Sequence, residues 1–156
     1  MWQRKQTLFL ATAILINISL FFLDLAIIKS GEFSGAFGMY GAEALQEGSQ
    51  AYSSMILAIV ISVSMLLSLA TISQLKKRPI QVKLAQFNLL IQIAFIIALF
   101  FVSEQAMDEV KIEGPVPMLV YTIGAYLAVI PLFFMYLAIR FIKKDEALVR
   151  AADRIR

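Results

Sequence analysis

Four long apolar runs alternate with short polar stretches along the chain: Leu8–Ile28, Tyr52–Leu75, Leu84–Val102 and Pro117–Ile142. A bilayer hydrocarbon core about 30 Å thick is crossed by about 20 apolar residues of helix, and each run is near that length or above it. No water is available in that core to pair with backbone N–H and C=O groups, so each run is predicted to be helical. The pattern predicts an all-α fold, a transmembrane antiparallel four-helix bundle forming one domain over residues 1–156. The first run is longer than the core of a usual signal peptide, and Ser34–Gly35–Ala36 is a weak cleavage site. It is therefore expected to be retained as a first span.

The basic residues predict the orientation. Arg4 and Lys5 precede the first run; Lys76, Lys77, Arg78 and Lys83 separate the second from the third. Arg140, Lys143, Lys144, Arg150, Arg154 and Arg156 follow the start of the chain's last basic stretch, and only Lys29 and Lys111 fall on the opposite side. Lys and Arg accumulate on the cytoplasmic side of membrane proteins, so both termini are expected to be cytoplasmic. This placement also explains a net charge of +3 without nucleic acid as a partner.

The connections differ in character. The segment between the first two runs holds Gly31, Gly35, Gly38, Gly41 and Gly48, a density that favours turns and mobility. Phe33, Phe37, Met39 and Tyr40 are apolar for a free loop. Two readings stay open: they rest on the membrane or a partner, or they pack over the helix ends. Pro79 ends one run and opens the next, which makes the second and third spans a tight hairpin. Glu104, Asp108, Glu109 and Glu113 give the third connection its acidity and are read as solvated rather than as metal ligands.

Polar residues inside the runs are the candidate functional positions. Gln81, Asn88 and Gln92 fall within about 40° on a helical wheel at about 100° per residue. Facing lipid they would lack partners, so the stripe is expected to face protein or water. Interhelical hydrogen bonding is the first reading, and a polar path or ligand groove the alternative. Ser54, Ala58, Ser62, Ser64 and Ser68 in the second run, with Gly124 and Ala128 in the fourth, suit close helix packing. Asn17 and Asp24 lie nearly on one face of the first run. Asp24 is the one acidic residue placed inside a span, which makes it a candidate for proton or ion handling, or a group reaching the headgroups. Pro131 is expected to bend the fourth helix.

No Gly or Pro interrupts the chain after Pro131, so the last helix is expected to extend into the cytoplasm as a tail over residues 143–156. Arg140, Lys143, Lys144, Leu148, Arg150 and Ile155 are its candidate contacts with a protein partner or with anionic headgroups. The chain contains no Cys and no His, so thiolate chemistry is excluded and the commonest general base and metal ligand are missing. No catalytic cluster, metal site or cofactor site is expected.

Three stretches resemble a bacterial four-span inner-membrane family, the domain of unknown function 4293. They are the start Met1-Trp2-Gln3-Arg4-Lys5-Gln6-Thr7-Leu8, the stretch Lys83-Leu84-Ala85-Gln86-Phe87-Asn88, and the tail Lys144 to Arg156. Phe87 stands where the family pattern has Leu. The resemblance implies a multi-pass protein of the bacterial inner membrane and carries no activity with it. The expected function is non-catalytic, an accessory or scaffolding subunit of a larger inner-membrane complex, with membrane lipids and other subunits as partners. The alternative is a small oligomeric transporter or channel.

Overall fold

The computed structural model describes residues 3–31, 33–42, 52–74, 78–109 and 116–153. Its helices are α1 (Gln3–Ser19, continued by a 3-10 turn at Leu20–Phe22), α2 (Met55–Ser73), α3 (Arg78–Glu109), α4 (Ile123–Leu127) and α5 (Ile130–Asp153). Its strands are β1 (Ala26–Ser30), β2 (Phe33–Phe37) and β3 (Met118–Tyr121). The segments Lys5–Phe22, Met55–Ser73, Pro79–Glu109 and Ile123–Val149 are each long and apolar enough to cross a bilayer.

The surface has the polarity of a protein solvated by lipid. Leu15, Leu66, Leu90, Phe101 and Phe133 are exposed, while Asn17, Ser64, Asn88 and Gln92 are fully buried. A water-soluble fold of this size would reverse that distribution. The chain is therefore a multi-pass membrane protein. On α3 the exposed apolar face is bounded by Lys83 and Glu104. The rise between those two residues is about 31 Å at 1.5 Å per residue, one hydrocarbon thickness.

α1 packs on α2 and α5, and α3 packs on α2 and α5. The main core gathers Leu20, Leu57, Ile61, Phe95 and Leu99 with residues of the strands. A smaller core of Val82, Ala85, Ile139 and Ile142 joins α3 to α5 nearer the chain termini.

The strands correct the all-α expectation. β1 pairs antiparallel with β2, Ala26 opposite Phe37, and with β3, Ala26 opposite Tyr121. The strand order is β2-β1-β3. Helix therefore ends at Phe22, not Ile28, and the fourth helical segment begins at Ile123, not Pro117. The cause is that an apolar run has no period to separate helix from strand. Ala26, Ile28 and Ser30 are buried while Lys29 is exposed, the alternation of a half-buried strand. α3 corrects the third span in the other direction, running past both 84 and 102.

Strand pairing holds residues 29–30 and 33–37 of the glycine-rich segment. Gly31, at φ 60, turns β1 into β2. Phe37 and Met39 are buried in the main core, so packing over the helix ends holds for those two residues. Tyr40 is exposed, its ring 6.1 Å from that of Phe21. Ser54, placed at the start of α2, donates from its hydroxyl to the Gly38 carbonyl at 2.7 Å.

The sheet is fastened to α4 at close range. The Thr122 hydroxyl donates to the Asp24 carbonyl, and the Thr122 N–H donates to the Leu25 carbonyl at 3.1 Å. Gly124 is buried against the same Asp24 carbonyl, which any Cβ at position 124 would overlap. Gly124→Ala is expected to lower stability by about 1–3 kcal/mol, measured by thermal unfolding in detergent micelles. Gly38→Ala, where a Cβ meets nothing within 4 Å, is expected to stay within about 0.5 kcal/mol of wild type.

Candidate functional site

Side chains from α1, α2 and α3 meet in one buried polar network. Ser64 is the middle residue of α2, and Gln92 lies near the midpoint between Lys83 and Glu104 on α3, so the network sits at mid-depth. Asn17 of α1 and Gln92 of α3 form a reciprocal amide pair: Asn17 Nδ2 donates to Gln92 Oε1 at 3.2 Å, and Gln92 Nε2 donates to Asn17 Oδ1 at 3.4 Å. The Ser64 hydroxyl of α2 lies 2.8 Å from Asn88 Oδ1 and 3.0 Å from Gln92 Oε1, its single proton shared between the two acceptors. Asn88 Nδ2 donates to Ser68 Oγ at 2.7 Å.

The fourth segment joins through its backbone. Pro131 has no N–H, and the Leu132 N–H bonds the Val129 carbonyl at 3.2 Å, so the helix is broken between α4 and α5. Gln92 Nε2 also donates to the Ala128 carbonyl at that break, at 3.3 Å. One glutamine thus bridges α1, α2 and the break before α5. This sharpens the expectation of a bend at Pro131: the break is occupied by a side chain from a neighbouring helix.

The network carries no formal charge, since amides, hydroxyls and one carbonyl are its only members. Among the described residues, every buried side-chain nitrogen and oxygen has a hydrogen-bond partner. Chemically the arrangement can fix helix register, because slipping any one helix by a residue would leave several buried groups unpaired.

The remaining candidate positions are dispersed. Gln81 is buried and donates to the Thr71 carbonyl at 3.2 Å, satisfying one of the carbonyls that the last turn of α2 leaves open. Asp24 is exposed beyond the end of α1, which corrects its placement inside a span. It lines a surface cleft of about 490 Å³ with Phe21, Met39 and Tyr40. Asn17 and Asp24 therefore do not form one site: the first is fully buried and the second faces outward. Arg140, Lys143, Lys144 and Leu148 are exposed on α5. The side chain of Arg150, and Ile155 altogether, lie outside the described residues, as do Lys111 and Glu113.

Three participants carry weaker sequence signals. The Ala128 carbonyl has a signal only in Pro131, three residues along. Gln6 and Asp145 stand among basic residues, near Arg4 and Lys5 and beside Lys143 and Lys144. Both are buried, with Gln6 Nε2 donating to Asp145 Oδ2 at 2.7 Å, and this bond ties α1 to α5.

Replacing Gln92 by Leu leaves Asn17 and the Ala128 carbonyl short of partners and is expected to cost about 1–2 kcal/mol. Asn17→Leu should cost a similar amount. The double variant is expected to cost less than the sum, because both halves of the pair leave together. Unfolding free energies in mixed micelles measure the coupling, and strict additivity would show that the pair contributes nothing.

No match to the chain was found among curated proteins. A family profile described as domain of unknown function (DUF4293) matches residues 2–155, so the chain belongs to that family.

Proposed function

We propose that this protein is a non-catalytic subunit of a larger assembly in the bacterial inner membrane, folded as an antiparallel four-helix bundle with both termini in the cytoplasm. The observation that carries the reading is the buried polar network, in which every side-chain nitrogen and oxygen has a hydrogen-bond partner. Its amides and hydroxyls are spent on each other, which suits a rigid scaffold better than a substrate path. Two further features support it. The exposed faces of the spans are apolar, which leaves the two ends of the bundle as surfaces for protein partners. α5 also continues about 20 Å beyond Arg140 at 1.5 Å per residue, presenting Leu148 and Val149 to a neighbour.

Charge asymmetry supports the orientation. The end bearing the termini exposes Lys5, Lys83, Arg140, Lys143 and Lys144, whereas the sheet end exposes Asp24, Lys29, Glu104, Asp108 and Glu109. Because the chain contains no cysteine, single-cysteine labelling reads the orientation directly. Glu109→Cys in spheroplasts is expected to react with an impermeant maleimide, and Ala151→Cys only after the membrane is opened. Immediate labelling at 151 would reverse the assignment.

The subunit role is tested by purification in mild detergent from cells expressing the protein at its native level. Stoichiometric partner proteins are expected to co-purify. A single monodisperse species containing only this chain would overturn the reading.

One observation favours the second reading, a small oligomeric transporter or channel. The break between α4 and α5 lies at mid-depth beside two side-chain amides, an arrangement that discontinuous helices use to hold transported ligands. Ion flux in proteoliposomes that Gln92→Leu abolishes would favour this reading, and absence of flux would remove it.

A further inference from the structure

We infer that the seam between α3 and α5 at the basic end holds the phosphodiester headgroup of an anionic membrane lipid, gripped by Lys83, Arg140 and Lys143. The inference goes beyond the subunit reading and stands whether or not the chain belongs to an assembly.

The seam is fixed by the core of Val82, Ala85, Ile139 and Ile142. Each cation follows directly after a residue of that core: Lys83 after Val82, Arg140 after Ile139, Lys143 after Ile142. All three are exposed, so they stand around one short length of the α3–α5 packing and face outward from it. Along α5 the rise from Arg140 to Lys143 is about 4.5 Å, comparable to the width of a phosphate group.

Depth selects a lipid over a soluble anion. On α5 the exposed residues change from Val129 and Phe133, through Tyr136, to Arg140. An apolar stretch, then an exposed tyrosine, then cations one turn further is the sequence of environments from acyl chains to headgroups. On α3 the same order appears in reverse, with Lys83 before exposed Phe87 and Leu90. A lipid at this level would set its phosphate among the cations and its chains along Phe87, Leu90 and Phe133.

The acidic residues nearest in sequence do not cancel the cations on this face. Asp145 is turned inward and bonded to Gln6, and Glu146 is less exposed than the cations. The exposed positions 140, 143, 144, 147 and 151 of α5 carry no acid.

The test is native mass spectrometry of detergent-purified protein supplied with equal amounts of phosphatidylglycerol and phosphatidylcholine. Phosphatidylglycerol adducts are expected to dominate. In K83Q/R140Q/K143Q they should fall by at least about tenfold, from a loss of roughly fivefold per cation before screening. The three side chains are exposed, so the variant should keep its melting temperature, which is checked in parallel. K29Q, at the sheet end, should leave the adducts unchanged. Equal retention of the two lipids overturns the inference, as does retention that survives the triple variant or falls equally in K29Q. Displacement of the lipid by excess inorganic phosphate alone would assign the site to a free anion. An acidic protein held at these cations in place of lipid would assign it to a polypeptide. Either result overturns the lipid assignment.

Discussion

Hydrocarbon offers a side-chain amide nothing to bond, and the central packing of this protein follows from that one constraint. An amide or hydroxyl facing lipid forfeits its hydrogen bonds, so Asn17, Ser64, Ser68, Asn88 and Gln92 are driven together. Apolar burial adds little preference for one register here, because lipid tails solvate leucine as well as another helix does. Directional bonds add that preference. The reciprocal amide pair fixes α1 against α3, and the shared Ser64 proton fixes α2 against α3. Each bond contributes modestly, on the order of 0.6 kcal/mol in membrane proteins. Their value lies in excluding alternatives, since a shifted helix would strand several partners at once.

The break at Pro131 belongs to the same arrangement. A proline within a membrane helix frees a carbonyl that lipid cannot satisfy. At this break the Leu132 N–H bonds Val129 in place of Ala128, and Gln92 donates to the Ala128 carbonyl from α3. The break and the glutamine are therefore one device, with the shifted Leu132 bond leaving the Ala128 carbonyl open and the amide bonding it. The other end of α4 is held just as closely. Gly124 and Thr122 meet the Asp24 carbonyl, which joins the helix to the strand leaving α1. α4 is thus clamped at both ends, and its five residues are enough to connect the sheet to the long helix that follows.

Much of this was legible in the sequence, for a physical reason. Length and apolarity decide whether a segment can cross a bilayer, and both are local quantities. The four spanning segments and the inward-facing stripe of Gln81, Asn88 and Gln92 followed from them. The sheet did not, because it depends on pairing between residues distant in the chain. Ile27 and Ile28 look the same whether the neighbouring strand exists or not, and β3 lies almost a hundred residues from β1. Asp24 was misplaced for the same reason: the strand that begins at Ala26 needs the chain to leave the helix first, so the helix that would have carried Asp24 into the membrane has already ended at Phe22. The Gln6–Asp145 bond was not legible for a different reason. A carboxylate beside two lysines reads as solvated, and only the antiparallel register of α1 and α5 brings Gln6 to it.

The separation of neutral polar groups from charged ones bears on where function resides. The buried centre is uncharged and internally matched, so altering it is expected to alter stability. The charged residues stand at the two ends, with opposite preponderance. Between the ends the surface offers apolar side chains to lipid, and specificity of contact there is hard to achieve because lipid and apolar protein compete on nearly equal terms. Recognition by charge, shape or strand pairing is available only where water or headgroups reach. At one end that means the cations of α3 and α5 and the projecting last turns of α5. At the other it means the sheet with its cleft beside Asp24. Between them the hydrogen-bonded centre ties α1, α2, α3 and the break before α5 together, so the two surfaces are joined through one set of buried bonds.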